Sequence, residues 1–178
     1  MNINAEENYW LAENTNLTEM HQPFLQFLDN LSTTGKITAK TFYNMPGWVS
    51  HHNSDIWAMS NPVGNFGEGD PSWANWPMGG TWASAHLWEH YLYTRDIQFL
   101  EQVYPVIKGS VDFFMDFLIP HPNEKWLVTN PSNSPENPPE GPGYEYFYDE
   151  VTGMYYFTTI TAGATMDMQI LKDLFDYY

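Results

Sequence analysis

D-I-Q-F-L-E-Q-V-Y-P-V-I-K-G-S-V-D-F-F-M-D-F-L-I-P, residues 96–120, places apolar side chains at Leu100, Val103, Ile107, Val111, Phe114 and Leu118. Steps of three and four residues bring all six to one face of an α-helix. Asp96 is the candidate N-cap, because its carboxylate can accept the unpaired N–H groups of a first helical turn, and Pro120 closes the run. Such a helix must lay its apolar face against other elements. Three further segments repeat the pattern. From Leu17 the apolar positions are Leu17, Met20, Phe24, Phe27, Leu28 and Leu31, with Asn16 as candidate cap and Gly35 as candidate stop. A helix is predicted over 77–94, with Trp82, His86 or Leu87, and His90 or Tyr91 along its faces, and another over 164–178 with Met166, Ile170 and Leu174. A shorter helix fits 38–43, and 154–160 reads as part of a β-hairpin.

Between these helices lie two long segments, 44–76 and 123–161, rich in Pro, Gly, Asn and aromatic residues. Loops this long in a compact domain are functional or disordered, and their Trp, His and Tyr favour a packed site. The order helix, long loop, helix, tight turn, helix, long loop, helix predicts an all-α fold. Its helical hairpins would keep the long loops at one end.

The composition narrows the ligand. The 178 residues carry a formal net charge of −16 and only six Lys and Arg, so nucleic acid and anionic lipid would be repelled. Aromatic residues make up 17% of the chain, with eight Trp. An acidic, ring-rich surface short of cations suits a neutral ligand that stacks on rings and bonds to carboxylates and amides, as sugars do. The chain has no cysteine, which excludes disulfides, thiolate metal sites and cysteine nucleophiles. No apolar run reaches the ~18 residues of a membrane-spanning helix. The first ten residues form no signal peptide, having neither a basic region nor an apolar run. The chain is expected to start inside a larger protein and to stop inside a helix. No G-x-x-x-x-G-K, G-x-G-x-x-G or G-x-S-x-G pattern is present, so no cofactor is expected.

Four stretches carry groups able to do chemistry. In N-P-S-N-S-P-E-N-P-P (130–139) Glu136 is the only acid, and three prolines in the second half stiffen the loop around it. A carboxyl fixed on a rigid loop is what general-acid catalysis needs, since the proton must arrive from a set place; a solvated loop acid is the plainer alternative. In G-W-V-S-H-H-N-S-D-I-W (47–57), His51, His52 and Asp55 could contact a polar substrate, pair within a loop core, or ligate a metal. Their spacing matches no familiar metal motif. In W-A-N-W-P-M-G-G-T-W (73–82), Trp76 precedes the helix and is the candidate sugar platform, with most of Trp82, Trp88 and His86 assigned to the core. Gly79 and Gly80 there allow close backbone approach. Asn2 and Asn4 alternate along an N-I-N run read as extended, which turns both amides to one side.

Taken together, these stretches resemble glycoside hydrolase family 95. The resemblance rests on N-I-N-A-E-E-N-Y-W (2–10), G-W-V-S-H-H-N-S-D-I-W, N-W-P-M-G-G-T-W (75–82), H-L-W-E-H-Y (86–91), N-P-S-N-S-P-E-N (130–137) and T-M-D-M-Q-I (165–170). The motifs follow one another in the family's order across essentially the whole chain. It implies an inverting α-L-fucosidase or α-L-galactosidase built on an (α/α)6 barrel, acting on a fucosylated oligosaccharide or glycan. It also implies that Glu136 is the general acid and that Asn2 and Asn4 assist the base. His51, His52, Asp55 and Trp76 then line the pocket, and no metal is needed. The family's base is an Asp far downstream with no match here; Asp167, within T-M-D-M-Q, belongs to a different motif. A twelve-helix barrel needs on the order of 300–400 residues. Residues 1–178 are therefore expected to be a single partial catalytic domain, the N-terminal half of the barrel. Its partner would be the remainder of that barrel, and the family's N-terminal β-sandwich is absent. The rival readings are a non-catalytic carbohydrate-binding helical module and a purely structural helical scaffold.

Overall fold

Helix α1, Ile3–Asn14, opens the fold. It replaces the extended run expected at the N-terminus: Ala5, Glu6, Glu7, Leu11, Ala12 and Glu13 are strong helix formers, and their summed preference outweighs the two flanking Asn. The structure, a computed structural model, describes residues 3–64, 69–135, 137, 146–157 and 159–178. Asn2 and Glu136 therefore lie outside the described residues.

Helix α2, Thr18–Thr38, buries Phe24, Leu25, Leu28 and Leu31. Its cap is Leu17, not Asn16, which instead takes a left-handed conformation (φ 59°) in the turn from α1. Nor does the helix stop at Gly35. That position serves packing: an added Cβ would stand 2.8 Å from both Trp48 Cε3 and the Val49 carbonyl oxygen. The chain continues through a π-helical turn, Ala39–Tyr43, and leaves it at Asn44 in the left-handed region.

The helix predicted over 77–94 is two helices, α4 (Gly79–Ala83) and α5 (Ala85–Thr94), preceded by a single turn, α3 (Pro71–Ala74). Helix α6 spans Ile97–Phe117, and Asp96 Oδ1 accepts the N–H groups of Gln98 and Phe99 as the sequence implied. Helix α7 is Thr165–Tyr177. Strands are few among the described residues. A two-residue pair joins β1 (Ile119–Pro120) to β2 (Leu127–Val128), and the hairpin expected near 154–160 is β3 (Tyr146–Asp149) paired with β4 (Met154–Phe157).

Helix α1 packs on α2, α5 on α6, and α7 against both α4 and α6. The core between them centres on Leu28, Trp48, Trp76, Met78, Phe113, Phe114, Leu171 and Leu174, all essentially inaccessible. Trp48 is the pivot. Its indole N–H donates to the Val106 carbonyl at 2.7 Å, and Gly35, Gly80 and Gly109 leave room for its ring. Described parts of the long loops meet near the starts of α4 and α7: Ser50 bridges Met78, Ser132 bridges Thr161, and Asn133 Nδ2 donates to the Ser72 carbonyl. The chain is all-α in class. Among the described residues no helix is long and apolar enough to cross a membrane.

Candidate active site

At the loop end a cleft of about 480 Å³ is lined by Ile3, Asn4, His52, Asn53, Trp82, Pro135 and Met166. Its volume falls within the range of about 300–1,000 Å³ usual for small-molecule sites. The first turn of α1 supplies Ile3 and Asn4, the 50–53 segment supplies His52 and Asn53, and α4 and α7 supply Trp82 and Met166. Pro135 comes from the proline-rich loop. Amide, imidazole and indole groups in one lining suit a hydroxylated ring, which needs both directional hydrogen bonds and an apolar wall. Trp82 and Met166 also border a larger groove of about 620 Å³ running along α4, α5 and α7.

The expected site residues separate into two groups. Asn4 and His52 meet in the cleft. Pro135 and Ile3, chain neighbours of Glu136 and Asn2, line it too, while those two residues lie outside the described ones. His51, Asp55 and Trp76 do not line it. His51 is buried behind the cleft with both ring nitrogens engaged: Nδ1 donates to the Ser60 carbonyl at 2.8 Å and Nε2 accepts the Tyr43 hydroxyl at 2.7 Å. Burial pulls its pKa down to about 4, opposed only by the Ser60 carbonyl, so the ring is neutral. Asp55 closes a turn, its Oδ1 accepting the N–H groups of Trp57 and Met59. Trp76 has 0% exposure and no ring face open for stacking. Its indole N–H donates to Asp167 Oδ1 at 2.7 Å. The indole that lines the cleft is that of Trp82, half-buried and edge-on to Trp76 with ring centroids 6.1 Å apart.

Sequence reasoning assigned Trp82 to the core and passed over Asn53 and Met166. The usable signal was position: Trp82 follows the Gly79–Gly80 pair, and those glycines let α4 start directly against the 50–52 segment. The Gly80 N–H bonds to the Ser50 carbonyl, and a Cβ at Gly79 would stand 2.4 Å from the His51 carbonyl oxygen.

A second polar cluster lies deeper. Glu13 Oε1 accepts His21 Nδ1 at 2.8 Å and His90 Nδ1 at 2.6 Å, and Oε2 accepts the Thr18 hydroxyl. Burial pushes the Glu13 carboxyl up, but the hydrogen bonds from His90, His21 and Thr18 together hold it below the usual range. His21 Nε2 continues to His86 Nδ1 at 2.9 Å. Burial, then the neighbouring His21, pull the His86 pKa down to about 4. Glu13, His21 and His90 offer three ligand atoms within 4.8 Å of one another. The Glu13–imidazole separations are nevertheless hydrogen-bond lengths, shorter than the roughly 3 Å that separates ligands on a zinc-sized ion with bonds of about 2.0–2.2 Å. The cluster reads as a proton-bridged strut between α1, α2 and α5. Glu6, also on α1, is buried without a charged partner among the described residues, and desolvation raises its pKa to about 8.

Comparison with known proteins agrees with this architecture. The model of the glycosyl hydrolase family 95 catalytic domain matches residues 1–178. The chain is 37% identical over 176 residues to Alpha-L-fucosidase 2 of Arabidopsis thaliana, covering 98% of this chain and 19% of that protein. It is 30% identical over 182 residues to Probable alpha-fucosidase A of Aspergillus niger, covering 99% of this chain and 20% of that protein. The chain thus spans about a fifth of the length of the curated relatives it matches. A match across every residue, on a helical scaffold, gives the conclusion: this chain belongs to glycosyl hydrolase family 95, within its catalytic domain.

Proposed function

We propose that the chain carries the general-acid side of an inverting, exo-acting α-L-fucosidase. One observation carries the reading: the loop that leads to Glu136 and the helix turn that follows Asn2 line the same sugar-sized cleft, together with His52 and Trp82. Inversion needs an acid and a base on opposite sides of the sugar, about 6.5–9.5 Å apart, with the attacking water beside the base. Glu136, protonated, gives its proton to the leaving glycosidic oxygen. An Asp from the remainder of the barrel draws a proton from water, and the amides of Asn2 and Asn4 orient it. Within the cleft, Asn4, His52 and Asn53 hydrogen-bond the sugar hydroxyls and Trp82 stacks against its apolar face. His51, Asp55 and Trp76 act from behind, holding the 50–60 segment and the start of α4 in place. Residues 1–178 form the N-terminal half of the barrel, and without the base they are inactive alone.

The test is release of free fucose from 2′-fucosyllactose by the 178-residue chain and by a form extended through the rest of the catalytic domain. Release by the extended form alone is expected, and Glu136→Gln in that form should abolish it. Normal release by Glu136→Gln would overturn the assignment. Binding of L-fucose without release by either form would favour a non-catalytic sugar-binding module.

A further inference from the structure

Asp167 holds the proline-rich loop from beneath the cleft. It is the third residue of α7 and has 0% exposure, yet its carboxylate is fully engaged. Oδ1 accepts the Trp76 indole N–H at 2.7 Å; Oδ2 accepts the Ser132 hydroxyl at 2.7 Å and the Thr129 hydroxyl at 3.0 Å. Ser132 Oγ in turn accepts the Ala164 N–H at 2.9 Å, which leaves its own proton directed at Asp167. The indole can only donate, so the arrangement calls for an acceptor at Oδ1 and suits a carboxylate. The first turn of α7 adds a favourable dipole. Burial pushes the Asp167 pKa up, while Ser132, Trp76 and Thr129 oppose that. Backbone bonds reinforce the same junction: Ser132 and Thr161 exchange N–H···O contacts of 2.8 and 2.7 Å, and the Gly163 N–H meets the Thr129 carbonyl at 2.9 Å. One buried carboxylate therefore joins the start of α7, the approach to α4 and both ends of the 129–132 segment, three residues before Pro135 reaches the cleft.

We infer that Asp167 is the positioning residue for the catalytic loop, setting the 129–135 segment so that the carboxyl of the following residue, Glu136, delivers a proton from a fixed point. The inference rests on the assignment of Glu136 as general acid. A buried Asp with a purely architectural role would, when altered, depress all substrates alike. A residue that aims the general acid acts only where the leaving group needs a proton.

The experiment compares 2′-fucosyllactose, whose leaving sugar oxygen needs protonation, with 4-nitrophenyl α-L-fucoside, whose leaving group departs without it. Both are assayed with the extended catalytic domain. Asp167→Asn is expected to lower kcat on 2′-fucosyllactose by about a hundredfold with KM little changed, the scale of loss caused by a misplacement of about 1 Å. On the nitrophenyl substrate the loss should stay below tenfold. Thr129→Val should show the same split more weakly, and Thr129→Ser, which keeps the hydroxyl, should return both substrates to the parent rates, which keeps the test usable if Asp167→Asn fails to fold. Equal losses on both substrates for Asp167→Asn, or for Thr129→Val, would overturn the inference. Glu136→Gln is run in parallel. If it shows the split and Asp167→Asn does not, only the positioning role falls; if Glu136→Gln shows none, the general-acid assignment falls and this inference with it.

Discussion

Gly79 and Gly80 show how two absent side chains shape a site. A Cβ at Gly79 would lie 2.4 Å from the His51 carbonyl oxygen, and one at Gly80 would lie 2.4 Å from Trp48 Cζ3. Both neighbours are fixed: one is backbone in a hydrogen-bonded loop, the other a ring held by the Val106 carbonyl. Either substitution must move something that cannot turn aside. Gly80→Ala should destabilise the fold by about 1–3 kcal/mol, the range for overpacking, as a shift in urea midpoint. Gly79→Ala should also displace the 51–52 backbone and with it His52. Calorimetric titration with L-fucose should then show at least tenfold weaker binding than Gly80→Ala, once both are compared below their unfolding midpoints. Equal affinities would mean that His52 does not contact the sugar.

At the scale of elements, Glu13 does the work of a strut. Its carboxylate joins α1 to His21 on α2 and to His90 on α5, three helices whose mutual contacts otherwise involve few large apolar side chains from α1. Glu13→Ala leaves two buried imidazoles facing a void and should cost about 3 kcal/mol or more, read as a fall in thermal midpoint. Retention of the parent midpoint would show that α1 is held by other means. The same chemistry explains why α1 escaped sequence reasoning. Its buried positions are Ala5, Glu6, Ala12 and Glu13, two small and two acidic, so it has no apolar stripe to count. Helices α2, α6 and α7 were legible because Phe, Leu, Ile and Val recur on their buried faces, and the glycine pair correctly signalled close backbone approach. That Trp82 and not Trp76 lines the cleft is not legible for a different reason. Trp76 and Asp167 bond across 91 positions of sequence, and no local pattern tells which of two tryptophans six residues apart a distant carboxylate will claim. Asn4 and His52 were named from motif resemblance and do meet in one cleft; Asn53 and Met166 enter it only through the packing of loops against helix ends.

For the whole molecule, buried titratable groups set opposing limits on stability with pH. Glu6 keeps its proton in the fold up to about pH 8, whereas in the unfolded chain it releases it near 4.5. Its stabilising contribution is complete below pH 4.5 and is lost as pH rises through 8, a loss on the order of 3–5 kcal/mol. His51 and His86 act in the reverse sense. Both stay neutral in the fold down to about pH 4 but take up protons near 6.5 when unfolded, so stability falls by about 3 kcal/mol for each as pH drops through that window. Two histidines outweigh one glutamate between pH 4.5 and 6.5, while above 6.5 only Glu6 remains. Glu13, held low, adds to the acid limb; Asp167 and Glu89, both raised chiefly by burial, act in the same sense as Glu6, their contribution falling as pH rises above the ordinary carboxylate range. Melting temperatures between pH 4 and 9 should therefore pass through a maximum near pH 6.5. Glu6→Gln, which keeps the volume and removes the charge, should flatten the alkaline limb and steepen the acid limb between pH 4.5 and 6.5, where Glu6 opposes the two histidines. If the parent protein shows no decline between pH 6.5 and 9, Glu6 is not a buried neutral acid, and α1 must sit more openly against the 50–54 segment than the structure places it.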